Sequence, residues 1–122
     1  MGVTRQEMIA MAITAQAENP IAAVAASLSQ DPRVKKILLF GSRATGTDRA
    51  DSDIDVLVVC EGDPGKFDTI ADLSELLPWP RDYSVDILVI GDRRFEQTKN
   101  VIGGIAYPAH KHGKVLYDRS AA

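Results

Sequence analysis

Asp53, Asp55 and Asp86 are the residues whose types and spacing best suit chemistry. Asp53 and Asp55 stand two apart where an apolar run, "IDVLVVC", begins, and side chains alternate across a strand, so both point to one face. Asp86 lies early in a second apolar run, "SVDILVI". If those two strands are neighbours, three carboxylates converge at one end of a sheet. Unit charges ~4 Å apart repel by about 4 kcal/mol at an effective dielectric near 20. That is a large share of the roughly 5–15 kcal/mol that holds a domain together. Either one carboxyl keeps its proton or a cation joins the group. Oxygen-only ligands select a hard ion, and an ion that keeps waters and phosphate oxygens among its ligands is Mg²⁺.

A second group precedes the carboxylates. Gly41, Ser42 and Arg43 follow the run "VKKILLF". Gly41 lets backbone approach closely. If Ser42 opens a helical turn, its hydroxyl and the free N–H groups around it suit an anion. Gly41 and Gly46 have the separation of the two glycines in a Walker A loop, but Thr47 and Asp48 occupy the Lys and Ser/Thr places, so that motif is rejected. Each piece also has a plainer reading. A lone Gly-Ser is most often a strand-to-helix turn, and a lone D-x-D a solvated turn. Asp48, Asp51 and Asp63 are read as turn residues. Asp86, inside an apolar run, needs a partner if buried, and Arg43 would serve. Conjunction favours a joint metal–polyphosphate site over the separate plain readings.

The elements that must position these residues are legible in outline. Residues 4–18 lack Gly and Pro and carry Met8, Ile9, Ala12 and Ile13 at helical spacing. Asn19-Pro20 reads as an N-cap and first helical residue of a second helix, which Asp31-Pro32 ends. Strands are expected over 34–40, 54–60 and 84–90. The second is apolar on both faces and so central, and the third is again apolar on both faces. Phe67, Ile70, Leu73, Leu76 and Leu77 mark an amphipathic helix stopping before Pro78. Helical character returns from Asp92 to about Val101 and is interrupted by Gly103-Gly104 and Pro108. Residues 114–118 read as a last short strand or an extended tail. The fold class is α/β (α+β): a small mixed sheet with helices packed on it, in one domain over residues 1–122, with a core at about 34–117 and a helical segment at about 4–30.

Length and composition set limits. A chain of 122 residues buries roughly two-thirds of the surface its unfolded form exposes, enough for one core. Its single cysteine, Cys60, excludes an internal disulfide and fits a reducing compartment. No leader pattern and no membrane-spanning run is visible, so a cytoplasmic protein is expected. A net charge of −3 with both signs interspersed gives no strong signal for a nucleic-acid backbone. Arg93 and Arg94, or Lys111 and Lys114, could line a small anionic pocket, with solvated surface the plainer reading. His110 and His112 are read as surface, and Trp79, between two prolines, as a packing anchor or partner contact.

The pattern G-S-x(10)-D-x-D formed by Gly41, Ser42, Asp53 and Asp55, with Asp86 later, resembles the nucleotidyltransferase superfamily that includes DNA polymerase β. "GSRATG", "SDIDVLVV" and "VDILVI" look like the minimal nucleotidyltransferase domains of prokaryotes, with resemblance from about Val34 to Tyr117. The resemblance implies a polymerase β-like fold and transfer of a nucleoside monophosphate, AMP from ATP, to a hydroxyl. It implies that Gly41 and Ser42, with Arg43 beside them, bind the triphosphate. Asp53, Asp55 and Asp86 would hold two Mg²⁺ ions, with Asp86 accepting the proton. It further implies a protein partner, a HEPN-type toxin whose tyrosine is adenylylated in an antitoxin role, or a homo-oligomer. The alternatives are a binding module that neutralises its partner by occlusion, and an enzyme modifying a small molecule such as an aminoglycoside.

Overall fold

The computed structural model describes residues 19–41 and 53–121. The helix expected over residues 4–18, and with it Ser42, Arg43, Asp48 and Asp51, lies outside the described residues. Helix α1 (Pro20–Leu28) starts as its sequence dictates: Asn19 is extended, its side chain accepts the N–H of Ala22 at 3.2 Å, and proline occupies the first turn. Strands β1 (Val34–Phe40) and β2 (Ile54–Cys60) keep the limits expected from sequence. Helix α2 (Lys66–Leu76) follows, then β3 (Val85–Gly91), α3 (Asp92–Thr98), α4 (Ala106–His112) and β4 (Lys114–Asp118). A short 3₁₀ turn covers Arg119–Ala121. The Gly103-Gly104 interruption falls between α3 and α4. Pro108 does not break α4 but sits in its first turn, where a missing N–H costs nothing.

The strands form one mixed sheet in the order β3-β2-β1-β4, with β1 antiparallel to β2 and β4, and β2 parallel to β3. The parallel step is made by α2, the crossover helix. One face of the sheet packs Ile37, Leu39, Ile54, Val56, Val58, Ile87 and Val89 against Val24 and Leu28 of α1 and Leu73 of α2. The other packs Leu38, Leu57, Val59 and Ile90 against Phe95 of α3 and Ala106 and Ala109 of α4.

β2 is central and buried almost throughout, as its two apolar faces require. β3 is different. It is an edge strand, and Leu88 on its second face stays exposed. Residues 114–118, open in the sequence between strand and tail, pair with β1 as the other edge.

Candidate functional site

The register of the parallel pair decides where the carboxylates fall. Asp55 of β2 stands directly opposite Asp86 of β3. Asp53 lies one step before β2, where the Ile54 N–H still donates a hydrogen bond to the Ser84 carbonyl at 2.9 Å. Parallel neighbours lie ≈ 4.8 Å apart, and both paired aspartates share the face that carries Leu57, Val59, Leu88 and Ile90. Helices α3 and α4 cover the far end of that face. The acidic end is left open: Asp53 and Asp86 are exposed and Asp55 is half-buried. Asp86 would need a partner only if buried, and it is not. Its place on an edge strand, on the uncovered half of a face, leaves it in solvent, and Asp55 is the carboxylate that burial affects.

Asp55 carries the electrostatic consequence. Its carboxyl is pushed above the usual carboxylate range, first by burial, then by the charge of Asp86 and by Asp86's carboxyl within hydrogen-bonding reach, and last by Asp53. On its other side Asp55 faces its register partner on β1, the half-buried Phe40. Gly41 closes the third side. It has φ +77°, and a Cβ there would stand 2.5 Å from Asp55 Oδ2. Glycine is needed twice at this position, for a left-handed backbone and for room beside the carboxylate. Sequence reasoning assigned Gly41 to phosphate approach and missed its contact with Asp55. The sequence carries no signal for that contact, which depends on the pairing of β1 with β2.

Asp53, Asp55 and Asp86 are thus brought to one end of one sheet face, with Gly41 beside them. Ser42 and Arg43 lie outside the described residues. The donor chemistry suits a hard divalent cation: Asp55 and Asp86 offer paired oxygens, and the proton that Asp55 holds too readily is what a cation would replace. Among the described residues, however, no three His, Cys, Asp or Glu side chains are arranged to hold a metal ion by themselves. The cluster supplies a pair of carboxylates with a third nearby, and a bound ion would draw its remaining ligands from substrate or water.

The other chemistry-bearing residues fall elsewhere. Arg93 and Arg94 border a cleft of about 630 Å³ with Gly62, Asp63 and Gln97, at the opposite end of the sheet from the carboxylates. A neighbouring cleft of about 620 Å³ holds Lys35 and Lys36, already paired with Asp92 (3.2 Å) and Asp118 (3.7 Å). His110 and His112 are exposed on α4, with the His110 ring edge-on to Phe95 at 6.2 Å. Trp79 is 78% exposed, so it is no packing anchor; the Arg81 guanidinium lies 5.6 Å from its ring.

Comparison with known proteins gives a consistent result. Residues 23–122 match the family described as "Polymerase beta, Nucleotidyltransferase". A protein of Methanocaldococcus jannaschii, provisionally named a protein adenylyltransferase, is 34% identical over 85 residues, which is 70% of this chain and 80% of that protein. Among solved structures, a provisionally named nucleotidyltransferase from Sulfolobus solfataricus superposes with a TM-score of 0.58 at 24% identity, covering 98% of this chain and 94% of the other. A toxin-antitoxin structure with AMP-PNP gives a TM-score of 0.53 at 24% identity over 80% of this chain and 73% of its own. Likenesses of that level speak to the fold.

Proposed function

The chain belongs to the polymerase beta nucleotidyltransferase family, and from that premise we propose that it transfers AMP from ATP to a hydroxyl of a protein partner. The observation that carries the reading is the opposition of Asp55 and Asp86 across β2 and β3, on an open sheet end beside Gly41. A pair of acids that disfavours its own ionisation is a liability in a small domain unless a cation belongs there.

In the proposed reaction an acceptor oxygen attacks the α-phosphorus of ATP. A new P–O bond forms, the bond to the β-phosphate breaks, and pyrophosphate leaves with its electron pair. Asp53, Asp55 and Asp86 are the residues that would hold Mg²⁺, which when bound would supply positive charge to stabilise the attacking and leaving oxygens of an in-line displacement. Asp86, exposed at the rim, orients the acceptor hydroxyl and takes its proton. Gly41, lacking a side chain, leaves room for the Asp55 carboxylate beside it, and Gly41, Ser42 and Arg43 are assigned to the phosphates.

A HEPN-type toxin tyrosine is the acceptor that fits the resemblance, and the relative's provisional name as a protein adenylyltransferase points the same way. Phe67, Trp79 and Ile102, each more than three-quarters exposed, are apolar side chains of the kind a protein partner covers.

The test mixes this protein with ATP, Mg²⁺ and the product of the neighbouring gene and reads added AMP by mass spectrometry. Tyrosine adenylylation that disappears in Asp55→Asn is the expected result. An inhibited but unmodified partner favours occlusion, and AMP appearing on an aminoglycoside with no partner present overturns the protein acceptor.

A further inference from the structure

The two edges of the sheet are treated very differently. β4 is short, carries charge at both ends (Lys114, Asp118) and meets β1 with a register shift at Ile37/Leu38. These are the usual devices that blunt an edge. β3 has seven residues, VDILVIG, in unbroken register with β2 from Val85 to Gly91, and its only charge is Asp86. Among the described residues no strand pairs its outer side. Leu88, midway along, is 37% exposed. Beside its second half runs a groove of about 260 Å³ with Val89 and Ile90 in its wall, Lys66 and Arg94 on its rim, and Asp63 as its one acid. A long, flat, apolar edge of this kind is built to receive a strand.

Charge says which strand. The N-terminal end of β3 is acidic, with Asp82 and Asp86 exposed and Asp53 and Asp55 alongside, and the C-terminal end is basic, with Arg94 and Lys66. None of these six forms an ion pair among the described residues. A strand laid antiparallel with the same polarity of charge would set acid against base at both ends, and β3 of a second copy is such a strand.

We propose that two copies of this chain pair antiparallel along β3 about a two-fold axis at Leu88, and that Arg94 of each copy is brought to the acidic cluster of the other. Leu88 then faces its own equivalent, Asp86 lies opposite Ile90 of the second copy, and Val85 lies opposite Gly91. Asp86, Leu88 and Ile90 share one sheet face, the face on which α3 packs. Arg94, in the first turn of α3 and on the groove side, therefore arrives on the same face as Asp86 and within the sweep of a long guanidinium side chain. There it meets phosphate oxygens, for which a planar fork of donors is suited. This second half rests on the nucleotide reading proposed above. The pairing itself does not.

Sedimentation of the full chain across 1–100 µM tests the pairing. A dimer is expected that weakens with salt, and Leu88→Lys should make it a monomer with an unchanged circular dichroism spectrum, because residue 88 is not in the core. Opposed strands place equivalent Cα atoms about 4.5–5.5 Å apart, within disulfide range. Leu88→Cys should therefore give a covalent dimer on mild oxidation, whereas Cys60 is buried and should give none. A monomer at every concentration, or a dimer that survives Leu88→Lys, overturns the pairing. In the disulfide-locked dimer, Arg94→Ala should weaken Mg·ATP binding at least tenfold. Equal affinity with and without Arg94 overturns the arginine's role. A locked dimer that binds no Mg·ATP in either form refutes the nucleotide reading and the arginine's role with it, while the pairing stands.

Discussion

Replacing Gly41 by alanine separates two consequences of one backbone position. Its φ of +77° puts an L-residue in the left-handed region, at a cost of roughly 1–2 kcal/mol. The new Cβ would also lie 2.5 Å from Asp55 Oδ2, where ordinary contact begins at 3.4 Å, so the carboxylate must retreat by 3.4 − 2.5 = 0.9 Å. Asp55 is confined by Phe40 on one side and Asp86 on the other, so the retreat moves it out of its pairing with Asp86. Thermal unfolding should show a loss of roughly 4–10 °C, from a few degrees per kcal/mol for a domain of this size. Mg·ATP binding, read by calorimetry, should fall as well, because the displaced carboxylate no longer stands beside Asp86 at the proposed ion site. A double-mutant cycle with Asp55→Ala divides the two effects. With the carboxylate gone, Gly41→Ala should retain only the backbone cost of about 1–2 kcal/mol. A Gly41→Ala protein with wild-type melting and wild-type nucleotide affinity would refute both the strain and the contact.

Other perturbations test other parts of the chain. Because Asp55's carboxyl is raised, the ion-free protein should lose stability as pH climbs from its unfolded value, 3.8, through the raised one; Asp55→Asn should flatten that slope in urea midpoints measured with chelator, and an unchanged slope would contradict it. Asp31 is shifted the other way, chiefly by the hydrogen bonds of Arg33, which also reaches Asp72 (3.1 Å). Its contribution is present above pH 3.8 and fades as pH falls through the lowered value. Asp31→Asn should cost about 0.5–1 kcal/mol in denaturant at neutral pH, discounted because Arg33 is partly in water. Burial pushes the Cys60 thiol up to about 11, so Ellman's reagent should react with it at about neutral pH only at the rate of unfolding. Trp79 fluorescence should be quenched by acrylamide almost as in a free peptide in the isolated chain, and protected on partner binding if that face docks.

The elements whose signals are local were legible in the sequence. Asn19-Pro20 fixes the start of α1 by a hydrogen bond between residues three apart, and the apolar runs at 34–40 and 54–60 end where glycine or carboxylates begin. The convergence of Asp53, Asp55 and Asp86 followed from alternation plus one assumption, that the second and third strands are neighbours, and β2 and β3 are. What depends on the third dimension was not legible. "VDILVI" is apolar on both faces, yet periodicity does not report that only one side of the strand has a neighbour, so the exposure of Leu88 and Asp86 was hidden. Trp79 between prolines carried no sign of whether a core lay beneath it. The contact of Gly41 with Asp55 joins residues at opposite ends of a long connection, and no spacing rule brings them together.

These placements explain how a small sheet tolerates its acidic end. Leu57 and Val59, on the same strand and face as Asp55, lie under Phe95 and the small residues Ala106 and Ala109, where close packing holds β2 rigid. One step further along, cover ends and the side chains change from apolar to carboxylate. Backbone pairing continues through that boundary, with Asp55 and Asp86 still in register and the Ile54 N–H still bonded. The carboxylates are therefore fixed by strands that the apolar half of the face stabilises, while their repulsion is relieved into water at Asp53 and Asp86. Only Asp55, held between Phe40 and Gly41, retains the full penalty. On the reading proposed above, a cation arriving with its own phosphate ligands would relieve that charge. The same exposure that relieves Asp86 is what leaves the edge of β3 open to a second chain.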